Sequence, residues 1–325
     1  MQSPAMIICL GEILFDRLAD RPGDSVKSIK SWTDYPGGAP ANVASALVKL
    51  GTPAAFIGCV GQDEAGNRLV ALLDSIGVNI SCIQRHPQAP TRKVYVLRDE
   101  SGDRSFAGFG DFKMDEFADA FLQKAKLDEK LFLEADFLVL GTLELAYPQT
   151  RSAIFQALEL AEQYGLKVLL DVNWRPMFWP DQNEALPLIK QVLKYVDFLK
   201  LSEEEAELLF NVKDAGAIAH RLNSVEGVII TAGSEDISYC FNENEGKIRP
   251  IAIEAVDTTG AGDAFVAGFL HQLATRGIAC LKDKNTAEEI VKYASAVGGL
   301  TATKPGAIDS QPTPDRVKEF LDRAE

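Results

Sequence analysis

The chain is poor in the residues that build disulfide frameworks and metal clusters. Its five cysteines, Cys9, Cys59, Cys82, Cys240 and Cys280, are scattered over 325 residues. They are odd in number and form no C-x-x-C pair, so neither a disulfide scaffold nor a zinc site is expected. Cys9, inside Met6-Ile7-Ile8-Cys9-Leu10, reads as a small core residue. The three histidines, His86, His220 and His271, lack ligand spacing and suit packing or surface roles. No apolar run approaches the roughly 20 residues of a membrane span. The first residues have no basic start, and Glu12 and Asp16 interrupt the apolar stretch early, so no secretory leader is expected. Excess positive charge is also missing. Lys and Arg number 33 against 47 Asp and Glu, a net charge of −14 at pH 7, which argues against nucleic acid or an anionic membrane as partner. Two nucleotide signatures are absent as well. The Gly-Lys pair Gly246-Lys247 has Phe241 where a Walker loop needs its first glycine. The pair Gly260 and Gly262 meets Phe265 instead of a third glycine, which disfavours a dinucleotide fold. No repeat, low-complexity tract or linker stands out. A reduced, cytoplasmic protein is expected.

What is present is an alternation of short apolar runs with helical patterns. Hydrophobic residues make up 46% of the chain, enough for one large α/β domain over 1–325. Strands are predicted at Met6–Leu10, Ala54–Val60, Phe137–Leu140, Val168–Asp171, Phe198–Leu201 and Val228–Thr231. Helices are predicted at Ala41–Leu50, Glu64–Ile76, Thr150–Tyr164, Glu203–Leu209 and Ala215–Leu222, with a helical end at Ala261–Thr275, Thr286–Thr303 and Pro314–Ala324. This order implies a mostly parallel sheet covered on both faces. One region departs from it. Arg92–Asp99 and Arg104–Gly108 flank the turn Glu100-Ser101-Gly102-Asp103 as a hairpin. Ile13–Leu18 and Val26–Trp32, joined through Pro22-Gly23-Asp24, supply two further strands. A small sheet from about 13–34 and 91–110 would form a flap over a cleft, with a homodimer surface as a compatible second role.

The most informative segment is Asp257-Thr258-Thr259-Gly260-Ala261-Gly262-Asp263-Ala264-Phe265. Small residues at a helix start let backbone N–H groups approach an anion, and a carboxylate on the same turn can accept a hydroxyl proton. Taken alone, a turn with a capping Asp explains the segment equally well. Gly37-Gly38-Ala39-Pro40-Ala41-Asn42 opens the first helix and places Asn42 where it can meet sugar hydroxyls. Asp16 follows the first strand as an acceptor for a pair of hydroxyls, or as a solvated loop charge. Asp171-Val172-Asn173-Trp174-Arg175-Pro176 follows a strand end, where ligands of open α/β sheets collect. Asn173 and Arg175 are candidate contacts there, with Trp174, Phe178 and Trp179 as walls. Lys200-Leu201-Ser202-Glu203-Glu204-Glu205 offers a carboxylate for magnesium, although acids also favour helix N-termini. Thr231-Ala232-Gly233-Ser234 ends the next strand with a hydroxyl and a glycine turn.

In this order the blocks resemble the ribokinase-like (PfkB) carbohydrate kinases over about Met6 to Ser310. Gly37–Asn42 and Asp257–Phe265 carry the resemblance. Gly11-Glu12 before Asp16, the form Gly-Gly-Ala-Pro-Ala-Asn-Val-Ala, and Asp171-x-Asn173-x-Arg175 before Trp179-Pro180 look most like fructokinases. The resemblance implies a three-layer α/β/α fold with a β lid and ATP-dependent phosphorylation of a sugar. It implies Asp263 as base and Gly260, Ala261 and Gly262 as anion hole. It implies that Asp16, Gly37, Gly38, Asn42, Asn173 and Arg175 hold the sugar beneath Phe106. Lys200, Ser202, Thr231, Gly233, Gly260 and Gly262 fall on the nucleotide side. Glu205 matches the glutamate of the family's Asn-x-x-Glu motif, organising Mg2+ through water, while Ser202 stands where the asparagine would. A K+ site is implied at Asp257, Thr259, Thr301, Lys304, Gly306 and Ser310. D-fructose is the expected acceptor. 2-Keto-3-deoxygluconate and ribose are the alternatives, and a catalytically silent sugar-binding protein is the alternative of another class.

Overall fold

The structure, a computed structural model, describes residues 5–23, 25–99 and 104–323. The chain runs through β1 (Ile7–Leu10), β2 (Leu14–Ala19), β3 (Trp32–Gly37), α1 (Ala39–Lys49), β4 (Ala54–Gly61), α2 (Glu64–Ile76), β5 (Ile83–His86), β6 (Lys93–Arg98) and β7 (Arg104–Gly108). It continues through α3 (Glu129–Glu134), β8 (Phe137–Leu140), α4 (Pro148–Tyr164), β9 (Lys167–Asp171), α5 (Ala185–Val192), β10 (Phe198–Ser202), α6 (Glu203–Phe210) and α7 (Ala215–Leu222). The last elements are β11 (Gly227–Thr231), β12 (Ile237–Phe241), β13 (Asn244–Ile248), α8 (Ala261–Arg276), α9 (Lys284–Ala302) and α10 (Pro314–Asp322).

Nine strands form one sheet in the order β13-β12-β11-β10-β9-β8-β1-β4-β5. It is parallel from β5 to β11, and the β12 and β13 hairpin extends it antiparallel. The two-residue period of a strand divides the core into two layers. Ile8 and Leu10 of β1 join Leu138 and Leu140 of β8 against α4 and α5. Ile7 and Cys9 join Phe137 and Val139 against α1, α8 and α9. Such strands bury side chains on both faces and so read as continuous apolar runs, which is why they are legible in the sequence. Helix ends follow local chemistry. Asp63 caps α2 by accepting Gly66 N–H at 2.7 Å, and Gly77, with φ +96°, ends it.

The lid is a separate four-stranded sheet, β3-β2-β6-β7. β2 and β6 run parallel, and each carries an antiparallel outer strand. One expectation is corrected. Val26–Trp32 is not a strand: Val26–Ser28 is a 3-10 turn, and β3 begins at Trp32. The register Ala19↔Trp32 to Leu14↔Gly37 leaves residues 20–31 as a wide connection. Asp20 N–H to Ser31 carbonyl at 3.2 Å closes that connection. Lys27 and Lys30 are exposed there and Val26 is half-buried, so no alternating buried face rewards extension. The first half of the lid therefore reaches Gly37 rather than 34. Asp24 and the turn Glu100–Asp103 lie outside the described residues. Short β5, the β12 and β13 hairpin and α5 were not expected. Among the described residues no helix is long and apolar enough to cross a membrane.

Candidate active site

Two helix N-termini meet between sheet and lid. α8 begins after Gly260, whose φ of +77° is left-handed and whose Cβ would lie 2.6 Å from that of Ala307. Only glycine suits that position. No side chain caps α8, so its first-turn amides are available to an anion. Asp263 sits on that turn. α1 brings Asn42 to it: Nδ2 donates to Asp263 Oδ2 at 2.8 Å, joining residues 221 apart in sequence. Asn42 is 3% exposed, and its Oδ1 is buried without a partner. Desolvation raises the Asp263 pKa, opposed by the Asn42 hydrogen bond and by Lys200 and Arg175.

These groups border a cleft of about 510 Å³. It gathers most of the expected residues: Asp16, Gly38, Asn42, Phe106, Asn173, Arg175, Lys200, Asp257, Thr259, Gly260, Gly262, Asp263 and Gly306. Gly37 lies behind Asp16, where a Cβ would stand 2.7 Å from Asp16 Oδ2. Phe106 of β7 packs edge-on to Phe109 at 5.2 Å and reaches Phe178 at 6.2 Å, so the lid meets the loop after β9 across the cleft mouth. Phe178 and Met177 form that wall. Trp174 and Trp179 do not border the cleft; they pack on each other at 5.6 Å because Trp179 is drawn into the core.

Lys200 is buried beneath the first turn of α8. Its Nζ lies 3.1 Å from both Asp171 carboxylate oxygens and 3.1 Å from where a Gly262 Cβ would be. Burial disfavours the ammonium, but the charges of Asp171 and Glu205 outweigh it and raise the Lys200 pKa. Ser202 and Glu205 form a reciprocal capping box on α6. Glu205 Oε2 accepts Ser202 N–H at 2.7 Å, and Oε1 accepts Trp174 N–H at 2.5 Å. Both oxygens thus serve backbone donors, and neither Glu205 nor Ser202 borders the cleft. Among the described residues no group of three or more His, Cys, Asp or Glu is arranged to hold a metal. Thr231 ends β11, its hydroxyl donating to Leu201 carbonyl at 3.3 Å, and Gly233 (φ +61°) forms the open turn beyond it.

Apart from Thr301, which lies in α9, the residues proposed for a monovalent cation lie on two adjoining loops. Asp257 Oδ1 accepts the Thr259 N–H at 3.1 Å and hydroxyl at 2.7 Å, and Oδ2 accepts Gly306 N–H at 3.1 Å. The Val256 and Asp257 amides both donate to Ala302 carbonyl, and Ser310 Oγ donates to Gly306 carbonyl. Thr301 turns its hydroxyl to Val297 carbonyl within α9, and Lys304 is exposed. Sequence reasoning assigned no role to Glu12, Tyr35, Leu143 or Ala307, which also border the cleft. For Glu12 the signal was its place directly after β1.

The sequence matches the profile of the pfkB family carbohydrate kinases over residues 4–314. It is 33% identical to fructokinase-1 of Oryza sativa subsp. japonica over 98% of each chain. Its fold is similar to the fructokinase of Xylella fastidiosa with bound ATP, with a TM-score of 0.89, 27% identity and 99% of both chains covered. It is also similar to a double-mutant fructokinase of Vibrio cholerae O395 in fructose, ADP and potassium ion bound form. There the TM-score is 0.85, with 26% identity over 99% of both chains.

Proposed function

The chain belongs to the pfkB family of carbohydrate kinases and is an ATP-dependent sugar kinase, and we propose that it phosphorylates D-fructose to fructose 6-phosphate. The contact between Asn42 and Asp263 carries the reading. It supports a base role for Asp263 at the uncapped start of α8, and it leaves Asn42 Oδ1 as a buried acceptor that a sugar hydroxyl would satisfy. Asp16, Gly38, Asn173 and Arg175 hold the sugar, and Phe106 closes over it. Asp263 takes the proton of the acceptor hydroxyl as the phosphoryl group transfers, and the Gly260–Gly262 amides with Lys200 face the charge that develops. Thr231 at the end of β11 and Gly233 in the turn beyond it take the nucleotide.

Bound magnesium supplies charge neutralisation on the phosphates. Because both Glu205 oxygens serve backbone N–H groups, its part is to fix the loop after β9 and to reach the ion through water. Potassium is assigned to the loops at Asp257, Thr259 and Gly306, which the Asp257 carboxylate ties together. Phe106 and Phe112, 40% and 48% exposed, leave an apolar edge by the lid that a second copy would cover, and sedimentation velocity tests the dimer. Five free cysteines accord with work in the reducing cytoplasm.

A coupled assay of ATP consumption over fructose, ribose and 2-keto-3-deoxygluconate tests the acceptor. Fructose should give the highest kcat/KM. Preference for the keto acid would move the assignment, and Arg175, a cation in the cleft, is the observation that favours that second reading. No turnover on any sugar would favour a silent binding protein.

A further inference from the structure

Helix α1 has no side-chain cap of its own. Its N-cap is Gly38, and Pro40 in the first turn has no N–H. The donor at Ala39 is satisfied from outside the helix: the Glu12 carboxylate accepts its N–H at 2.8 Å, 27 residues away in sequence. The two backbones press together there. A Cβ on Gly38 would lie 2.5 Å from the Glu12 carbonyl oxygen, and one on Gly11 would lie 2.5 Å from Pro40 Cγ. Glu12 is 4% exposed, borders the cleft, and among the described residues forms no salt bridge. Burying an unpaired carboxylate is costly, and packing alone would be served better by an apolar residue.

We propose that Glu12 is a positioning residue for the acceptor side of the reaction, holding the first turn of α1 so that Asn42 stays seated against Asp263. Asn42 lies on that turn. Its N–H closes on Gly38 carbonyl at 2.9 Å, and its carbonyl accepts Gln311 Nε2 at 2.8 Å. Glu12 ties the start of the turn and Gln311 its end, and the Asn42 side chain spans from there to the base. The groups that act on Glu12 electrostatically are Asp263 from α8, Asp119 from the turn before α3 and Glu144 from the turn before α4. Arg92, the cation among them, is taken by Asp119. Burial, with the charges of Asp119 and Asp263, pushes the Glu12 carboxyl up to about 7 against the Ala39 hydrogen bond. Its charge therefore changes near neutrality, and the ionised form is the stronger acceptor at a helix N-terminus.

The role rests on the sugar-kinase reading, so wild-type turnover is measured first; failure of that reading shows in the wild type, failure of this one only in the variants. Glu12→Ala should lower kcat/KM for the sugar about ten- to a hundredfold, the effect of losing a charged hydrogen bond. The KM for ATP should stay within about twofold, since Thr231 and Gly233 lie away from α1. Glu12→Gln keeps an acceptor and should restore most of the activity. It should also lose the rise in sugar kcat/KM through pH 7 that is expected of the wild type. Amide exchange at Ala39 and Asn42 should be fast in the Ala variant and protected in the Gln variant. An Ala variant with unchanged sugar kcat/KM would overturn the proposal, as would an equal loss on the ATP side. If the Ala variant does not fold, the Gln variant decides: an unaltered pH profile, or loss of α1 protection, rejects the role.

Discussion

A carboxylate in a cleft is a useful base only if its surroundings leave it ionised when substrate arrives. At Asp263 desolvation raises the pKa, while Asn42, Lys200 and Arg175 oppose the rise. Replacing it with Asn keeps size and the nearby backbone but removes the proton acceptor. Asp263→Asn should reduce kcat by about a thousandfold or more, with ATP affinity by calorimetry little changed; near-normal turnover would refute the assignment. Glu12 makes a pH prediction of its own. Its carboxyl lies near 7 in the folded protein against 4.5 as the ordinary value, so between these values the folded state binds the extra proton. Stability from this group is then greatest below pH 4.5 and falls as pH rises through 7, by on the order of 3 kcal/mol. Glu12→Gln does not titrate. Relative to wild type it should gain denaturation free energy between pH 5 and pH 8, and an equal difference at both pH values would contradict the burial argument.

The second lid segment is held at its base, just before β6. Thr91 is tied to the rim of the main sheet through Asp63, which accepts both its N–H and its hydroxyl at 2.7 Å. Arg92 is wholly buried. Its guanidinium donates to both Asp119 oxygens at 2.5 and 2.7 Å and lies over Phe117 at 4.6 Å and Tyr147 at 5.1 Å. Its carbonyl accepts Phe15 N–H at 3.1 Å, which joins the two lid segments. Removing one member of a buried pair strands the other charge. Arg92→Ala should cost about 3–5 kcal/mol in urea denaturation, while Arg92→Met with Asp119→Leu should cost far less. Phe106 of β7 borders the cleft from the lid side, and covering the sugar is its proposed role. Phe106→Ala should raise the sugar KM and increase ATP hydrolysis in the absence of sugar, because closure excludes water; an unchanged ratio of hydrolysis to transfer would argue against a covering role.

At the scale of the whole molecule, an acidic protein of net charge −14 binds a polyanion. The positive potential this needs is local: the N-termini of α1 and α8, Lys200 and Arg175 face one cleft. A monovalent cation beside α8 would add to it at the loops that Asp257 and Gly306 join. Replacing potassium by tetramethylammonium in the assay should lower kcat severalfold and leave the fold intact by circular dichroism. Equal rates in both salts would remove the cation from the scheme.

The sequence by itself determined the layers and singled out the key segment. Buried parallel strands are continuous apolar runs and α2 carries its own capping Asp63 and terminal Gly77, so β8 and α2 were read to their ends, while Gly260-Ala261-Gly262-Asp263 stood out as a turn that could seat an anion beside a carboxylate or simply cap a helix. Those signals are local, set by a period of two or 3.6 residues or by a turn. The lid strand β3 was misplaced because its register depends on pairing with β2, which no local pattern encodes. Ser202 was read toward the nucleotide and Glu205 toward magnesium; the tertiary structure adds that their polar atoms meet backbone donors of α6 and the Trp174 loop. Only the fold could seat Asn42 on Asp263 and Glu12 on Ala39, or sink Arg92 among aromatic rings. Each of these contacts joins distant segments, and its strength comes from burial that the finished core supplies.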